Sequence, residues 1–241
     1  MSYYLTIDQG NSSAKIALFS NFDIVESRRV DALTMQEIDS LIDRRELTAA
    51  IYSSVAADGD DIVDALATRC KRVYRMSSDL LLTVEIGYDN PSSLGADRIA
   101  ACAGAAALFP FNELLVVDAG TAVTYDYVNA QTRFVGGNIA PGLRMRLDAL
   151  SSHTSRLPHV DVVGPEPEWG TDTDTAMRLG AIHGVVGEIE HYAAKISASN
   201  KKIILTGGDA EIISRHLPIA HEVVPNLVDI GLNSILLFNE Y

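Results

Sequence analysis

Two segments of the chain place an aspartate and a glycine directly after an apolar run. The first reads IDQGNSSAK (residues 7–15) and the second reads VVDAGTA (residues 116–122). In each, Asp8 or Asp118 ends a run typical of a strand, small residues follow, and β patterning resumes. The glycine lets the backbone fold tightly, and the N–H groups after it are left to donate to an anion. One such segment is equally typical of a hairpin turn, but two of them predict a pair of phosphate-binding hairpins.

The two carboxylates would face a metal ion carried by the phosphates. Magnesium is usually held by one or two carboxylates together with phosphate oxygens, and Asp8 and Asp118 supply one carboxylate each. No G-x-x-x-x-G-K-[ST] motif is present, GGNIAPG (136–142) is not followed by the lysine of a Walker loop, and no G-x-G-x-x-G follows the first strand. The sequence thus argues against P-loop and Rossmann sites and leaves the phosphate chemistry to the hairpins.

A third glycine segment, KKIILTGGDAEII (201–213), reads as a strand, two glycines and the start of a helix. The flat backbone of Gly207 and Gly208 could let a nucleoside approach, and Asp209 could cap the helix. Alone, Gly-Gly between a strand and a helix is more typical of a plain turn. Together with the two hairpins it favours a nucleotide site.

The segment YDNPSSLGADRIAACAGAAALF (88–109) reads as an alanine-rich helix from Leu94 onward. Asp97 falls in its first turn and Arg98 lies beside it. The residue types alone favour an aspartate that complements the helix dipole and an arginine that is a solvated surface residue. The alternative is that this segment forms the substrate site.

The elements that must position these residues occur in the same order twice. Strands are predicted at 2–8, 14–20 and 23–30, then a helix at 34–45, a strand at 47–56, a helix at 60–70 and a strand at 71–77. From residue 113 the order begins again with strands at 113–118, 121–128 and 132–139, helices near 141 and at 172–198, a strand at 201–206, a helix at 209–217, a strand at 221–224 and a last helix at 227–238. The pattern predicts a duplicated α/β fold with domains at 1–112 and 113–241.

Composition limits the classes of function. The 241 residues are 47% hydrophobic and carry a formal net charge of -13, which indicates a folded protein and argues against binding to nucleic acid or to an anionic membrane. The two cysteines, Cys70 and Cys102, form no CxxC pair, and the six histidines show no metal-ligand spacing. No targeting segment or apolar run of membrane-spanning length is evident. We therefore expect a soluble cytoplasmic protein.

The segments DQGNSSAK, GADR, VVDAGTA, GGNIAPG and TGG, in this order and at these separations, resemble a type III pantothenate kinase. That family lies in the superfamily of actin, hexokinase, Hsp70 and acetate kinase, and the resemblance covers nearly the whole chain. It implies an α/β protein of two duplicated ribonuclease-H-like domains with an ATP cleft between them. It also implies ATP-dependent phosphorylation of pantothenate to 4'-phosphopantothenate, the first step of coenzyme A biosynthesis.

The resemblance also implies roles for individual residues. The ATP-binding set would be Asp8, Gly10, Asn11, Ser12, Lys15, Gly120, Thr121, Gly207 and Gly208. The pantothenate-binding set would be Tyr88, Gly95, Ala96, Asp97, Arg98 and Thr173, with Asp97 as the general base. Asp118 would ligate a monovalent cation, K⁺ or NH₄⁺, and Asp8 would meet Mg²⁺ through the phosphates. The chain departs from the usual pattern at Asp172, where the family usually has asparagine, and at Ser12, where threonine is usual.

Similar enzymes are homodimers in which the neighbouring subunit closes the pantothenate pocket. The long helix after Gly170 would form the contact through Gly180, Gly184 and Gly187, although these glycines could also pack against their own domain. Rival functions are a non-catalytic accessory relative, a different small-molecule kinase and a polymerising actin-like protein. The presence of Asp8, Asp97, Arg98 and Asp118 together favours an enzyme, and the absence of large insertions argues against a filament.

Overall fold

The computed structural model describes residues 2–10, 13–54, 59–77 and 79–240. The chain divides into two compact units. Unit 1 contains the residues up to Phe111, Gln131–Phe134 and the C-terminal segment from Asn226, and unit 2 contains Asn112–Ala130 and Val135–Pro225. The predicted division between residues 112 and 113 lies beside the first passage of the chain from unit 1 to unit 2.

Unit 1 is built on a five-stranded mixed sheet. Its strands are β1 (Tyr3–Gln9), β2 (Ala14–Ser20), β3 (Asp23–Val30), β4 (Leu47–Ser54) and β5 (Cys70–Arg75), in the spatial order β3-β2-β1-β4-β5. The central strand β1 is antiparallel to β2 and parallel to β4. Helices α1 (Met35–Ile42) and α2 (Asp60–Leu66) complete this part, and Thr34 caps α1 by accepting the N–H of Glu37. Leu5 of β1 and Ile16 of β2 are fully buried, so the first hairpin extends from a rigid, well-packed sheet.

Two helices of unit 1 pack against each other through glycines. They are α3 (Ala96–Leu108) and α7 (Leu227–Glu240). A Cβ atom at Gly104 would overlap the carbonyl oxygen of Leu227, and a Cβ at Gly231 would overlap that of Ala100. The sequence assigns the segment from Asn226 onward to the second domain. In the structure this segment lies in unit 1, because its helix α7 packs on α3.

A short structure precedes α3. Strand β6 (Glu85–Ile86) pairs in parallel with Arg133 and Phe134, and a 3₁₀ turn follows at Pro91–Ser93. The sequence did not predict β6.

Unit 2 repeats the arrangement of unit 1. Its strands are β7 (Glu113–Ala119), β8 (Ala122–Val128), β9 (Arg133–Pro141, whose first two residues belong to unit 1), β10 (Lys201–Thr206) and β11 (Glu222–Val223). The order is β9-β8-β7-β10-β11, with β7 antiparallel to β8 and parallel to β10. Helices α4 (Leu143–His153), α5 (Thr173–Lys195) and α6 (Ala210–His216) accompany this sheet. The same strand order and the same strand directions confirm the predicted duplicated α/β fold.

The core of unit 2 lies between its sheet and α5. Val117 of β7 and Val185 and Ile189 of α5 are completely buried in it. Within the part of the chain that the structure describes, no helix combines the length and the apolar character needed to cross a bilayer.

Candidate active site

The first predicted phosphate hairpin joins β1 and β2 in unit 1. Asp8 is the next-to-last residue of β1 and lies opposite Lys15 in the antiparallel register. The N–H of Gly10 donates to the carbonyl oxygen of Ser13 at 3.0 Å, so it closes the turn rather than pointing outward. Asp8 and Lys15 therefore flank the turn, one on each strand. Two predicted phosphate ligands lie outside the described residues: Asn11 and Ser12.

A buried carboxylate lies beneath this hairpin. The Nζ atom of Lys15 is 3.3 Å from Oδ2 of Asp229, which belongs to α7 and is fully buried. The hydroxyl of Thr6 donates to Oδ1 of Asp229 at 3.1 Å. Sequence reasoning missed Thr6 and Asp229, since 223 positions separate them along the chain and no pattern signals the contact. The ion pair with Asp229 attaches the Lys15 side chain to α7.

Burial raises the pKa of the Asp229 carboxyl, and the opposing effects of Lys15 and Thr6 only reduce this rise. A carboxyl whose pKa is higher in the folded than in the unfolded state contributes stability at low pH that is lost as pH rises through the folded pKa. We therefore expect the free energy of unfolding of the wild type, relative to Asp229→Asn, to fall as pH rises above about 4, the ordinary Asp value. Urea unfolding across a pH series measures this difference.

The control for that series is Asp64→Asn, which removes an exposed carboxylate from α2. If the wild type instead gains stability relative to Asp229→Asn as pH rises, Lys15 outweighs burial and the assigned direction is wrong.

The G-A-D-R segment forms the start of α3. Gly95 is the residue before the helix, and its carbonyl accepts the N–H of Ile99 at 3.1 Å. The Oδ1 atom of Asp97 accepts the backbone N–H of Arg98 at 2.8 Å. A Cβ at Gly95 would lie 2.5 Å from that same Oδ1 atom, so a larger residue would displace the carboxylate. Gly95 and the helix start together fix the orientation of Asp97.

Arg98 is buried, with 6% of its surface exposed, so the interpretation of this residue as a solvated surface arginine is wrong. Its guanidinium carbon lies 5.8 Å from the ring centroid of Tyr88 and 5.6 Å from that of Phe134, and the two rings meet edge to face at 5.8 Å. A guanidinium over aromatic rings gains cation–π stabilisation that increases with desolvation. The contact brings two predicted substrate residues together, and Phe134 joins them as a residue that the sequence did not single out.

The position of Tyr88 follows from the pairing of β6. The N–H of Gly87 donates to the carbonyl oxygen of Phe134 at 2.9 Å, and a Cβ at Gly87 would come within 2.7 Å of that oxygen. Gly87 thus lets the chain pass close to β9, and Tyr88 follows beside Phe134. The only sequence signal for this arrangement is the glycine before the tyrosine.

The second predicted phosphate hairpin joins β7 and β8 in unit 2. Asp118 lies opposite Thr124 on β8 and beside Thr206 on β10. The N–H of Gly120 donates to the carbonyl oxygen of Ala122 at 3.0 Å, so this glycine closes its turn as Gly10 does. Each hairpin thus has a glycine whose N–H closes the turn, although its partner lies at a different separation along the chain, and neither glycine keeps its own N–H for a ligand.

The Gly-Gly segment meets this second hairpin. Gly207 has φ +92°, a conformation that favours glycine, and a Cβ there would lie 2.5 Å from Oδ1 of Asp118. Gly208 is exposed. Asp209 is the residue before α6, but its side chain makes no capping hydrogen bond, so the predicted cap is wrong. Its N–H instead donates to the carbonyl oxygen of Ala119 at 2.9 Å, and burial raises the pKa of its carboxyl.

Thr173 is the first residue of α5 and is exposed. The preceding Asp172 caps the helix, because its Oδ1 accepts the backbone N–H of Thr175 at 2.8 Å and the hydroxyl of Thr175 at 2.7 Å. These hydrogen bonds lower the pKa of the Asp172 carboxyl. Asparagine could accept the same backbone bond, so the departure at this position preserves the helix start.

Each unit thus gathers a subset of the predicted residues. In unit 1, Tyr88 and Arg98 meet beside Asp97, and Lys15 is held by α7. In unit 2, Asp118 meets Gly207, and Thr121 follows Gly120 at the hairpin. Within the described residues, no group of three or more His, Cys, Asp or Glu side chains could hold a metal ion.

The likeness to solved structures concerns the fold. A Campylobacter jejuni protein, described as a candidate transcriptional activator of the Baf family, superposes with a TM-score of 0.64 and 22% identity, covering 98% of each chain. The activator of 2-hydroxyisocaproyl-CoA dehydratase from Clostridium difficile, solved with bound ADPNP, gives a TM-score of 0.55 at 12% identity and covers 99% of this chain and 95% of its own. The fold is that of the actin-like ATPases and sugar kinases.

Proteins found by sequence comparison are more similar in sequence to this chain than these solved structures are. A type III pantothenate kinase of Porphyromonas gingivalis is 40% identical over 99% of this chain and 100% of its own length. That of Phocaeicola vulgatus is 36% identical over 98% of both chains. The family pattern of type III pantothenate kinases matches residues 4–195. The chain therefore belongs to the type III pantothenate kinase family.

Proposed function

We propose that this protein transfers the terminal phosphoryl group of ATP to pantothenate and releases 4'-phosphopantothenate and ADP. This is the first step of coenzyme A biosynthesis. The observation that carries the proposal is the match of almost the whole chain, over both units, to the kinases named above. As a kinase, the protein uses ATP with a divalent metal ion, for which Mg²⁺ is the natural candidate.

Unit 1 supplies the group that activates the substrate. Asp97 would accept the proton of the primary alcohol of pantothenate as that oxygen attacks the phosphorus. Its side chain is held by the N–H of Arg98, which keeps the carboxylate in one orientation. Tyr88 and Arg98, which stack on each other, would bind pantothenate together with Gly95 and Ala96. A positioned base of this kind contributes about 10²–10⁴-fold to the rate.

The two hairpins would bind the phosphates. The proposed phosphate ligands of the first hairpin are Asp8, Gly10 and Lys15. The family resemblance adds Asn11 and Ser12. Gly120 and Thr121 form the second, and the nucleoside would approach the backbone at Gly207 and Gly208. Mg²⁺ would bind the phosphates near Asp8. This assignment is supported by the position of Gly10 and Gly120 between the antiparallel strands of their hairpins and by the close contact of Gly207 with Asp118.

A monovalent cation would complete the charge at the second hairpin. Asp118 offers a carboxylate oxygen there, and K⁺ or NH₄⁺ is the ion that the family resemblance implies. The sequence has no Walker lysine, so a cation would supply part of the positive charge beside Mg²⁺.

We expect activity to fall sharply when K⁺ is replaced by tetramethylammonium at constant ionic strength, because the bulky ion cannot approach Asp118. Initial rates of ADP release measured in matched chloride salts test this. Addition of a small amount of KCl to the tetramethylammonium reaction should restore the rate. Equal rates in both salts would remove the cation from the proposal.

The rival functions give different results in one assay. ADP release from ATP, coupled to a spectroscopic readout, is measured with and without pantothenate. The proposed kinase releases ADP only when pantothenate is present. A non-catalytic accessory relative releases none, a different small-molecule kinase responds to another alcohol, and a polymerising relative hydrolyses ATP without pantothenate.

We also propose a homodimer in the cytoplasm. Gly180 and Gly187 of α5 are exposed, and a Cβ at either position would meet nothing within 4 Å. Packing within their own unit therefore does not account for these two glycines, which leaves the helix face open to a second chain. Gly184 differs, since its missing side chain makes room for the guanidinium of Arg146. The cytoplasmic location is supported by Cys70 and Cys102, neither of which forms a disulfide bond.

A further inference from the structure

The turn between β9 and α4 contacts the second hairpin through its last glycine. Gly142 is buried and ends the segment GGNIAPG. Its N–H donates to the carbonyl oxygen of Thr121 at 3.1 Å. The residue therefore lies directly behind Thr121, against the carbonyl that joins Thr121 to Ala122.

Close approach, rather than backbone conformation, requires glycine at this position. Gly142 has φ −69° and ψ 173°, which any residue adopts. A Cβ atom there would lie 2.5 Å from the carbonyl oxygen of Thr121 and 3.0 Å from its carbonyl carbon, and it would overlap the carbonyl oxygen of Gly120. All three atoms belong to the backbone, so no flexible side chain can move aside. Any side chain at Gly142 must displace the hairpin.

Arg146, which forms an ion pair with Glu188, also binds this turn. The Nε atom of Arg146 donates to the carbonyl oxygen of Pro141 at 2.8 Å, and its backbone N–H donates to that of Gly142 at 3.0 Å. One terminal nitrogen of Arg146 donates to both carboxylate oxygens of Glu188, at 2.8 and 2.6 Å. The Arg146 side chain is 19% exposed and the Glu188 side chain is 35% exposed, so this charge-assisted contact is only partly shielded from water.

We propose that Gly142 is a positioning residue for nucleotide binding: it sets the Gly120–Thr121 peptide against the phosphates, and Arg146 and Glu188 hold Gly142 in place. The proposal rests on the assignment of Thr121 to the phosphates. The proposal assigns a role in nucleotide binding to the GGNIAPG segment, which otherwise supports only the family resemblance. Displacement of this peptide weakens binding of the nucleotide and leaves the pantothenate residues of unit 1 unchanged.

The test compares Gly142→Ala with Gly136→Ala. Gly136 belongs to the same segment, but a Cβ there meets nothing within 4 Å, so its variant controls for the loss of a glycine in β9. We expect Gly142→Ala to raise the KM for ATP and the Kd for Mg·ADP about tenfold or more, and to change the KM for pantothenate less than twofold. Gly136→Ala keeps all three near the wild-type values. The Kd is measured by calorimetry without pantothenate.

Arg146→Ala and Arg146→Lys provide a second series should Gly142→Ala fail to fold. Lysine can still donate to the carbonyl oxygen of Pro141, so Arg146→Lys should recover part of the nucleotide affinity that Arg146→Ala loses. The proposal is overturned if the variants that fold melt at lower temperature but bind Mg·ADP as the wild type does. If the wild type releases no ADP with pantothenate while nucleotide binding falls as expected, the proposed function fails and the role of Gly142 stands.

Discussion

Asp97→Asn is expected to lower kcat about 10²-fold or more while the protein stays folded and binds ATP normally. An amide cannot accept the proton of the pantothenate alcohol, so the attacking oxygen loses its base. The amide oxygen can still accept the N–H of Arg98, which preserves the start of α3. ADP release by the purified variant measures kcat, and thermal unfolding and Mg·ADP binding measure the fold and the nucleotide site.

The matched control is Asp89→Asn, which removes an exposed carboxylate from the segment before α3. It should retain wild-type turnover. Near-normal turnover of Asp97→Asn would show that the base is another group, since removal of a proton acceptor cannot be silent in that role.

The second prediction concerns a pocket shared by two chains. If Thr173 closes the pantothenate pocket of the neighbouring subunit, each active site combines Asp97 of one chain with Thr173 of the other. Thr173 is exposed at the first position of α5, and the cap is made by Asp172 and Thr175, so Thr173→Phe blocks the pocket without removing the cap. Each variant alone, Asp97→Asn or Thr173→Phe, should be nearly inactive.

Unfolding and refolding the two variants together should restore about a quarter of wild-type activity. Random pairing makes about half of the dimers mixed, and each mixed dimer has one intact site and one site with both changes. Size-exclusion chromatography with a tag on one variant confirms that mixed dimers form. If they form and activity does not return, the pocket is built within one chain. Thr173→Ser, which keeps the hydroxyl, is the control for the second position.

The sequence predicted the elements well because local patterns determine them. The strand-turn-strand segments around Asp8 and Asp118 have the alternation and the glycine that a hairpin needs, and both are hairpins in the structure. The order of predicted strands and helices occurs twice along the sequence, and the two sheets show the same strand order.

Contacts between distant segments could not be predicted in this way. Burial of Arg98 depends on Phe134, which a separate strand brings beside Tyr88. The pairing of Lys15 with Asp229 joins the first hairpin to the last helix, and a lone aspartate near the C-terminus carries no signal of such a partner. The need for glycine at position 142 arises from the hairpin behind it rather than from its own backbone angles.

The packing of α7 on α3 also has a consequence for protein synthesis. Residues 226–240 leave the ribosome after every residue of unit 2, yet they cover the helix that carries Asp97. Unit 2 can thus complete its fold before α7 is available to pack on α3 in unit 1. A chain that ends before Asn226 should keep a protease-resistant unit 2 and be cleaved readily within α3. Equal resistance of both parts would mean that α3 folds without α7. The segment that follows unit 2 along the chain thereby completes the unit that precedes it.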